Sequence, residues 1–267
     1  MMNDPLYVNE SDLSTAWAKA FLQARAQGVD SISPLVVTVT PHDDPAPEIA
    51  DIRHALDDRI AALKAEHQNL QEISTVANTI FPASFWNPNR PDGAELLYQR
   101  FDKAWPRIKR CRQNRRGLYF RRMTAFRPKK DGEAPVNQLK HIVETYRGGN
   151  HRRSALQASI FDPALDHNNS RQLGFPCLHQ VSFAPVGDDG FAVTGYYAMQ
   201  YIFDRAYGNY LGLSRLGHFI AAQLDKRLVR MTCVAATAEL GTPNKSEVAT
   251  LADTMSHLIR GAEGTPA

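Results

Sequence analysis

The sequence predicts an α+β protein, because amphipathic helical segments are interspersed with β-branched runs and a hairpin signal. Segment 11–27 places Leu13 and Trp17 on one helical face, as in a helix that packs on a core. Residues 35–40, LVVTVT, have the β-branched composition of a strand. The turn sequence GDDG at 187–190 lies between two strand-like runs and indicates an antiparallel hairpin. We expect the whole chain of 267 residues to form a single domain.

The remaining helices and strands are predicted in the same way, from apolar residues at helical spacing and from β-branched or alternating runs. Helices are predicted over 48–66, 94–112, 136–146, 204–224 and 244–260, and strands over 117–126, 154–161, 177–185, 191–201 and 229–236. Residues 74–93 are rich in Pro and Asn, which favours irregular structure. Together these elements predict antiparallel pairing without an internal repeat.

Composition excludes several classes of protein. With 43% hydrophobic and 22% charged residues, the chain is neither disordered nor collagen-like. No uncharged apolar run approaches the roughly 18 residues of a membrane span. The acidic N-terminus lacks a signal-peptide pattern, and Cys111, Cys177 and Cys233 form neither a disulfide framework nor a CxxC pair. We therefore expect a cytoplasmic protein, with no membrane partner and no metal site.

A basic segment spans residues 107–130, with eleven Lys and Arg side chains and no acidic one. Such a segment can be a solvated surface or an anion site, and both interpretations stay open. Its interleaved aromatic residues also allow a third interpretation, single-stranded nucleic-acid binding, which ranks below the other two.

Five short motifs occur in order in the second part of the chain. They are Arg116-Gly117-Leu118-Tyr119, Arg152-Arg153, Pro176-Cys177-Leu178-His179, Tyr196-Tyr197-Ala198-Met199 and Asn209. Taken singly, each has an ordinary structural explanation; a cysteine at a strand start, for example, is more often a small buried apolar residue than a nucleophile. Their order and spacing, however, resemble those of the catalytic half of the thymidylate synthase family. The resemblance covers residues 117–224, while residues 1–116 diverge from the family.

The resemblance implies a fold and a reaction. The fold would be a thymidylate-synthase-like mixed or antiparallel sheet packed with helices. The reaction would be transfer of a one-carbon unit, methyl or hydroxymethyl, to C5 of a pyrimidine nucleotide. In the family a cysteine thiolate adds to C6 of the base, and 5,10-methylenetetrahydrofolate supplies the carbon. The resemblance also implies a homodimer, because the arginine pair reaches the neighbouring subunit.

The matching positions assign roles to seven residues. The resemblance makes Cys177 the nucleophile, with His179 beside it in the catalytic motif. It places Arg152 and Arg153 on the substrate phosphate, Asn209 on the uracil N3–H and O4, and Tyr119 and Tyr196 in the substrate pocket. These residue types suit the chemistry, since arginine binds phosphate in a bidentate manner and an amide both donates and accepts hydrogen bonds. No residue is assigned to the folate.

The sequence also departs from the family pattern. Ala198 and Met199 stand where the family has phosphate-binding Arg and Ser, and Tyr201 stands where it has an Asp near the folate ring. Residues 231–236 lack the family's ribose-binding His and Tyr, and we do not expect its C-terminal closing segment. The alternative function is therefore a catalytically reduced nucleotide-binding or scaffold protein on the same fold.

Overall fold

The structure is a computed structural model, and it describes most of the chain. The described residues are 4–26, 31–40, 48–111, 114, 117–128, 130, 132–167 and 176–263. The strands are β1 (Leu6–Glu10), β2 (Leu35–Val39), β3 (Gln157–Ser159), β4 (Leu178–Val186), β5 (Gly190–Tyr201) and β6 (Arg227–Glu239). The helices are α1 (Leu13–Ala26), α2 (Ala50–Leu63), α3 (Ile73–Ile80), α4 (Gly93–Ile108), α5 (Tyr119–Thr124), α6 (Gln138–Arg147), α7 (Pro163–Asp166), α8 (Tyr207–Gln223) and α9 (Ala249–Glu263).

The six strands form one mixed sheet in the order β1-β2-β6-β5-β4-β3. The pairs β1–β2 and β5–β6 are parallel, and the other three are antiparallel. Because β5 and β6 are parallel neighbours, the chain must cross from the end of one to the start of the other, and helix α8 makes this crossover. The predicted α+β class and mixed sheet are confirmed, whereas the specific thymidylate-synthase-like fold stays a prediction.

The sheet buries one face against helices, following the alternation of side chains along each strand. Val37, Val193 and Met231 belong to the buried face. Helix α8 lies so close to it that a Cβ on Gly195 would meet the Leu213 side chain at 2.7 Å. Apart from Ala192, the side chains on the opposite face at the centre of the sheet are exposed or half-buried.

Helix α8 is also fixed against α3 by two glycines one turn apart. A Cβ on Gly208 would lie 2.6 Å from Cβ of Val76, and one on Gly212 would lie 2.9 Å from the Ala77 carbonyl oxygen. Only glycine permits this close approach. The contact fixes the N-terminal end of α8, which carries Asn209.

Two sequence predictions are wrong. The segment 117–126, predicted as a strand, forms helix α5, because Phe120 and Met123 are buried at helical spacing. The segment 74–93, predicted to be irregular, begins within helix α3, which buries Ile73, Val76, Ala77 and Ile80. Strand β1 was not predicted at all.

The other predicted elements are present, with shifted ends. Helix α1 and strand β2 lie within their predicted ranges, and the hairpin of β4 and β5 turns at the predicted GDDG. The predicted strand 154–161 is shorter, comprising β3 alone. No helix in the described part of the chain is long and apolar enough to cross a membrane.

Candidate functional site

Cys177 lies immediately before β4, at the end of the sheet where β5 finishes. The Ala198 backbone N–H donates to the Cys177 carbonyl oxygen at 3.0 Å, and Leu178 pairs with Tyr197 across the two strands. Two of the sequence motifs are therefore adjacent in space. Cys177 and Cys111 are exposed cysteines, whereas Cys233 is buried.

The Cys177 thiol lies among tyrosines and one guanidinium. Although the residue keeps contact with solvent, the protein atoms packed around its sulfur disfavour the thiolate and raise the pKa of the thiol, and the positive charge of Arg205 opposes this shift without overcoming it. Tyr119 interacts electrostatically with both Cys177 and Arg205, and burial raises the pKa of its phenol far above the ordinary value. Cys177 is therefore a protonated thiol at neutral pH in the resting protein.

Arg205 is carried by a π-helical turn, Ile202–Ala206, which joins β5 to α8. Trp17 Nε1 donates to the Ile202 carbonyl at 2.9 Å, and the Phe203 N–H donates to the Leu240 carbonyl at 2.9 Å. Asp204 accepts hydrogen bonds from both the backbone and the hydroxyl of Thr242. A π turn of this kind is uncommon and is often found at functional sites. These contacts hold the turn on both sides and fix the position of the Arg205 backbone.

Asn209 lies one turn after Arg205, in the first turn of α8. It is 4% exposed, yet its side-chain amide makes no hydrogen bond with another described residue. Residues four apart in a continuous helical segment share a side, so Asn209 and Arg205 project from the same side of the helix. The amide atoms of Asn209 are not among the fully buried side-chain atoms that lack a partner, so they keep contact with solvent and can donate to and accept from a ligand.

Tyr196 and Tyr197 point to opposite faces of β5. Tyr196, the residue assigned to the substrate, is 43% exposed on the outer face of the sheet. Tyr197 is buried and interacts electrostatically with Cys177, Tyr119 and Cys233. Its hydroxyl has no hydrogen-bond partner among the described residues. The structure therefore brings Tyr197, which the sequence analysis did not select, beside the thiol.

His179 stacks on Phe161, with ring centroids 4.6 Å apart and planes 17° from parallel. Burial lowers the pKa of its imidazole, while Asp166 and the backbone of Pro176 oppose the shift. The ring is consequently neutral at pH 7. Its described ring contacts are to aromatic side chains, so the catalytic role assigned to His179 stays a prediction.

Arg152 and Arg153 are exposed, at a short 3₁₀ turn before β3. Neither forms an ion pair within the described part of the chain. An exposed, uncompensated pair of arginines can bind an anion. Their assignment to a substrate phosphate stays a prediction.

The basic segment is partly neutralised by carboxylates from other parts of the chain. Arg121 pairs with Asp102, Arg122 with Asp166, and Arg127 with Asp162. Arg112, Arg115, Arg116 and Lys129 lie outside the described residues. The three paired arginines serve the fold, which weakens the case for a continuous nucleic-acid surface.

A folate bound near Cys177 would need a polar protein group as its partner. Tyr201 and Asp204 are the two residues to consider for this role. Tyr201 occupies the position expected to hold an Asp, and the neighbouring Asp204 already accepts two hydrogen bonds from Thr242. Neither position offers a free carboxylate to a folate, and the use of 5,10-methylenetetrahydrofolate stays a prediction.

One group of side chains could in principle hold a metal ion. Potential ligand atoms of Glu66, His67 and Glu247 lie within 4.8 Å of one another. His67 Nε2 and a Glu247 carboxylate oxygen are already 2.7 Å apart and form a hydrogen bond. This group joins the C-terminal end of α2 to the start of α9, and the hydrogen bond accounts for its geometry.

Comparison with known proteins gives no assignment: neither a protein-family model nor a curated protein matches the sequence. Function must therefore be argued from the site itself.

Sequence reasoning missed Arg205 and Tyr197. Neither residue stands out in the sequence. Pairing of β4 with β5 places Tyr197 near Cys177, and the turn after β5 carries Arg205. The local signals were that Tyr197 belongs to the motif Tyr196-Tyr197-Ala198-Met199 and that Arg205 lies between this motif and Asn209.

Proposed function

We infer that the protein is a transferase that adds a one-carbon unit to C5 of a pyrimidine nucleotide through a covalent adduct on Cys177. The observation that carries this proposal is that β5 is hydrogen-bonded to Cys177 and leads within eight residues to the nearly buried amide of Asn209, at the start of α8. An amide can donate to O4 and accept from N3–H of uracil, and a thiolate can attack the neighbouring C6.

The adduct chemistry follows from these positions. The Cys177 thiolate forms a bond to C6 as the C5–C6 double bond opens, and the electron pair moves towards C5 and O4. C5 then bonds to a one-carbon unit at the formaldehyde level of oxidation, as the bond between that carbon and its carrier breaks and the carrier leaves with the electron pair. Addition of water to the transferred carbon gives the hydroxymethyl product, whereas a methyl product requires a hydride donor in addition. Loss of the C5 proton and cleavage of the sulfur–C6 bond restore the ring and the thiolate. Asn209 would stabilise the negative charge that develops on O4.

The raised pKa of Cys177 imposes a condition on this chemistry. Since the resting group is a thiol, its proton must leave before or during nucleotide binding. The rate of adduct formation should therefore increase with pH above neutrality.

The homodimer expected from the resemblance is supported by the outer face of the sheet. The strand registers align Tyr7, Val36, Val234, Tyr196 and Gln180 in one row across five strands, which we call the outer row. A second row beside it consists of Asn9, Thr38, Thr232, Thr194 and Ser182. Neither row contains a charged side chain, and Tyr7 is 70% exposed. Uncharged and partly aromatic surfaces are typical of subunit interfaces.

The second candidate function, nucleotide binding without catalysis, is favoured by one observation. No second described cation accompanies Arg205 among the charges that shift the Cys177 pKa, and burial raises that pKa overall. The two candidates share the binding site and differ only in whether the thiol reacts.

Titration with 2′-deoxyuridine 5′-monophosphate tests the binding that both candidates require. Isothermal calorimetry of the wild type should give saturable binding, with the nucleoside binding more weakly. Single-stranded DNA serves as the comparison ligand at low salt, where phosphate contacts are strongest. Absence of nucleotide binding would contradict the proposal, and tighter binding of DNA than of the nucleotide would favour a nucleic-acid function.

A further inference from the structure

We propose that the free edge of β1, with the cleft beside it, binds an extended acidic segment of a partner protein, which joins the sheet as an added strand. This site is independent of the nucleotide site, because β2, β6 and β5 separate β1 from β4 and Cys177. Addition of a strand to an open sheet edge is a recurring mode of peptide recognition.

The pairing of β1 with β2 leaves part of the main chain of β1 unused. The Leu6 N–H donates to the Pro34 carbonyl oxygen at 2.9 Å. Because backbone groups alternate in direction along a strand, every second residue from Leu6 onwards points its N–H and C=O to β2. Those of Tyr7 and Asn9 point away from the sheet, and no strand in the described part of the chain pairs with this edge. Two donors and two acceptors are therefore available to an added strand.

The β1 edge also lacks the features that usually prevent pairing. Very short edge strands, prolines and unpaired charges are the common forms of protection. At the opposite edge of the sheet, β3 has only three residues. Strand β1 has five residues and no proline, and its one charged side chain, Glu10, pairs with Lys19 at 2.8 Å. This edge is therefore open to a further strand.

A cleft of about 620 Å³ follows the edge, with β1 on one side and helices α1 and α9 on the other. Leu22 of α1 and Ile259 of α9 contribute apolar side chains to its lining. Residues that are directly opposed in a sheet place their side chains on the same face, so alternate side chains of an added strand would point to these helices. The bound segment would thus bury apolar surface as well as form main-chain hydrogen bonds.

The charge of the cleft favours an acidic segment. Lys19 and Glu10 neutralise each other within the lining. Arg260, in the last turn of α9, is exposed and forms no ion pair with another described residue. An Asp or Glu of the bound strand would supply the missing counter-charge. A second copy of this chain would instead add a second Arg260, so the charge favours a different, acidic partner.

A dimer formed through the outer row would leave this edge accessible. The side chains of Tyr7 and Asn9 lie on the outer face of the sheet, whereas their main-chain groups lie in its plane. Both contacts can therefore form in the same molecule.

Selection from a phage library of random peptides about eight residues long tests for this binding. The wild-type chain is the target, and Asn9→Pro is the counter-target. Proline removes the outward N–H of residue 9, which takes no part in the pairing with β2, and it is tolerated on edge strands. We expect β-branched sequences that contain Asp or Glu to be enriched on the wild type alone. Absence of such enrichment, or equal recovery on Asn9→Pro, would overturn the proposal.

Hydrogen exchange measured by NMR identifies the mode of binding. The enriched peptide, synthesised in free form, should slow exchange of the Tyr7 and Asn9 amides about tenfold or more, because both become hydrogen-bonded. The Leu6 and Val8 amides, which already point to β2, should change less. Binding without protection of Tyr7 and Asn9 would contradict an added strand. Protection that rises with protein concentration in the absence of peptide would assign the edge to a second copy and overturn the proposed partner.

Charge reversal tests the acidic preference. Arg260→Glu should weaken binding of the peptide, measured by fluorescence anisotropy, about tenfold. Arg227→Glu reverses an exposed charge at the start of β6, outside the cleft, and should leave the affinity unchanged. Equal affinities of the wild type and Arg260→Glu would overturn the acidic partner. If Asn9→Pro does not fold by circular dichroism, Arg260→Glu replaces it as the counter-target, and hydrogen exchange of the wild type decides whether the peptide adds to β1.

Discussion

Arg122 donates two hydrogen bonds to the carboxylate of Asp166, from Nη1 to Oδ2 at 2.6 Å and from Nη2 to Oδ1 at 2.8 Å. Arg122 also donates to the Ile160 carbonyl at 3.0 Å, so it links α5 to the end of β3 and to α7. Asp166 accepts from the Asp162 N–H as well, at 2.8 Å. This pair holds α7 against α5, the helix that carries Tyr119.

Asp166→Asn is expected to destabilise the protein by about 3 kcal/mol, because it leaves the largely buried Arg122 without its counter-charge. Asp102→Asn removes the partner of the adjacent Arg121 at an exposed position, and should cost under about 1 kcal/mol. Urea unfolding of the two variants measures the difference. Equal losses of free energy of unfolding would contradict the structural role of the Arg122 pair.

The same pair predicts a dependence on pH. Burial opposes ionisation of Asp166, but the hydrogen bond and charge of Arg122 outweigh it and lower the pKa of the carboxyl. Stability from this group is therefore present above its unfolded pKa of about 4 and is lost as the pH falls through the lower folded pKa. The stability difference between wild type and Asp166→Asn should accordingly shrink on acidification below about pH 4.

Asn209→Leu separates a ligand-binding role from a structural one. Since the amide has no described protein partner, replacing it with an apolar side chain of similar size should leave the free energy of unfolding unchanged or increase it. Binding of the pyrimidine nucleotide should weaken by roughly tenfold or more, corresponding to about 1.5 kcal/mol. A destabilised variant with normal affinity would indicate a structural role for Asn209.

Arg153→Ala is expected to weaken binding of the nucleotide more than binding of its nucleoside. The arginine is exposed and unpaired within the described residues, so a phosphate would be its partner. Calorimetric titration of both ligands measures the ratio of affinities, with Arg227→Ala as the control. Equal losses for the two ligands would assign Arg153 to another role.

Val234→Lys tests the outer row as a dimer interface. The substitution introduces a charge at the centre of an uncharged surface, between Val36 and Tyr196. Light scattering should give a dimeric mass for the wild type and a monomeric mass for the variant, because an unpaired charge is costly to bury. Ala222→Lys, at an exposed position on α8, should remain dimeric. A wild-type monomer, or a dimeric Val234→Lys, would contradict the interface.

Local sequence patterns correctly predicted the helices and strands in which buried residues recur at regular helical or strand spacing. Helix α1 has one apolar face, and β2 alternates buried and half-buried residues as its composition indicates. Helix α5 was predicted wrongly because Tyr119 and Phe120 favour a strand by composition, while the buried contacts of Phe120 and Met123 require a helix. Tertiary packing outweighed local preference there.

Site residues that belong to short sequence motifs were predicted from the sequence. Residues whose place in the site depends on strand pairing or on the turn after β5 were missed. Cys177, Tyr119 and Asn209 were selected by motif, and Cys177 and Tyr119 are indeed neighbours. The alternation of β5 turns Tyr197 rather than Tyr196 towards them. Arg205 is carried by the π-helical turn that follows β5, and no local pattern in the sequence encodes that turn.

The most direct test of the proposed chemistry is exchange of the C5 proton of 2′-deoxyuridine 5′-monophosphate with heavy water, followed by proton NMR. Addition of the Cys177 thiolate to C6 lets C5 accept deuterium, and reversal of the addition releases the exchanged nucleotide without any one-carbon donor. The wild type should remove the C5 proton signal while the C6 signal persists, faster as the pH rises above neutrality. Cys177→Ser should leave both signals unchanged. A persistent C5 signal with the wild type, or equal exchange by Cys177→Ser, would contradict the role of Cys177 as a nucleophile.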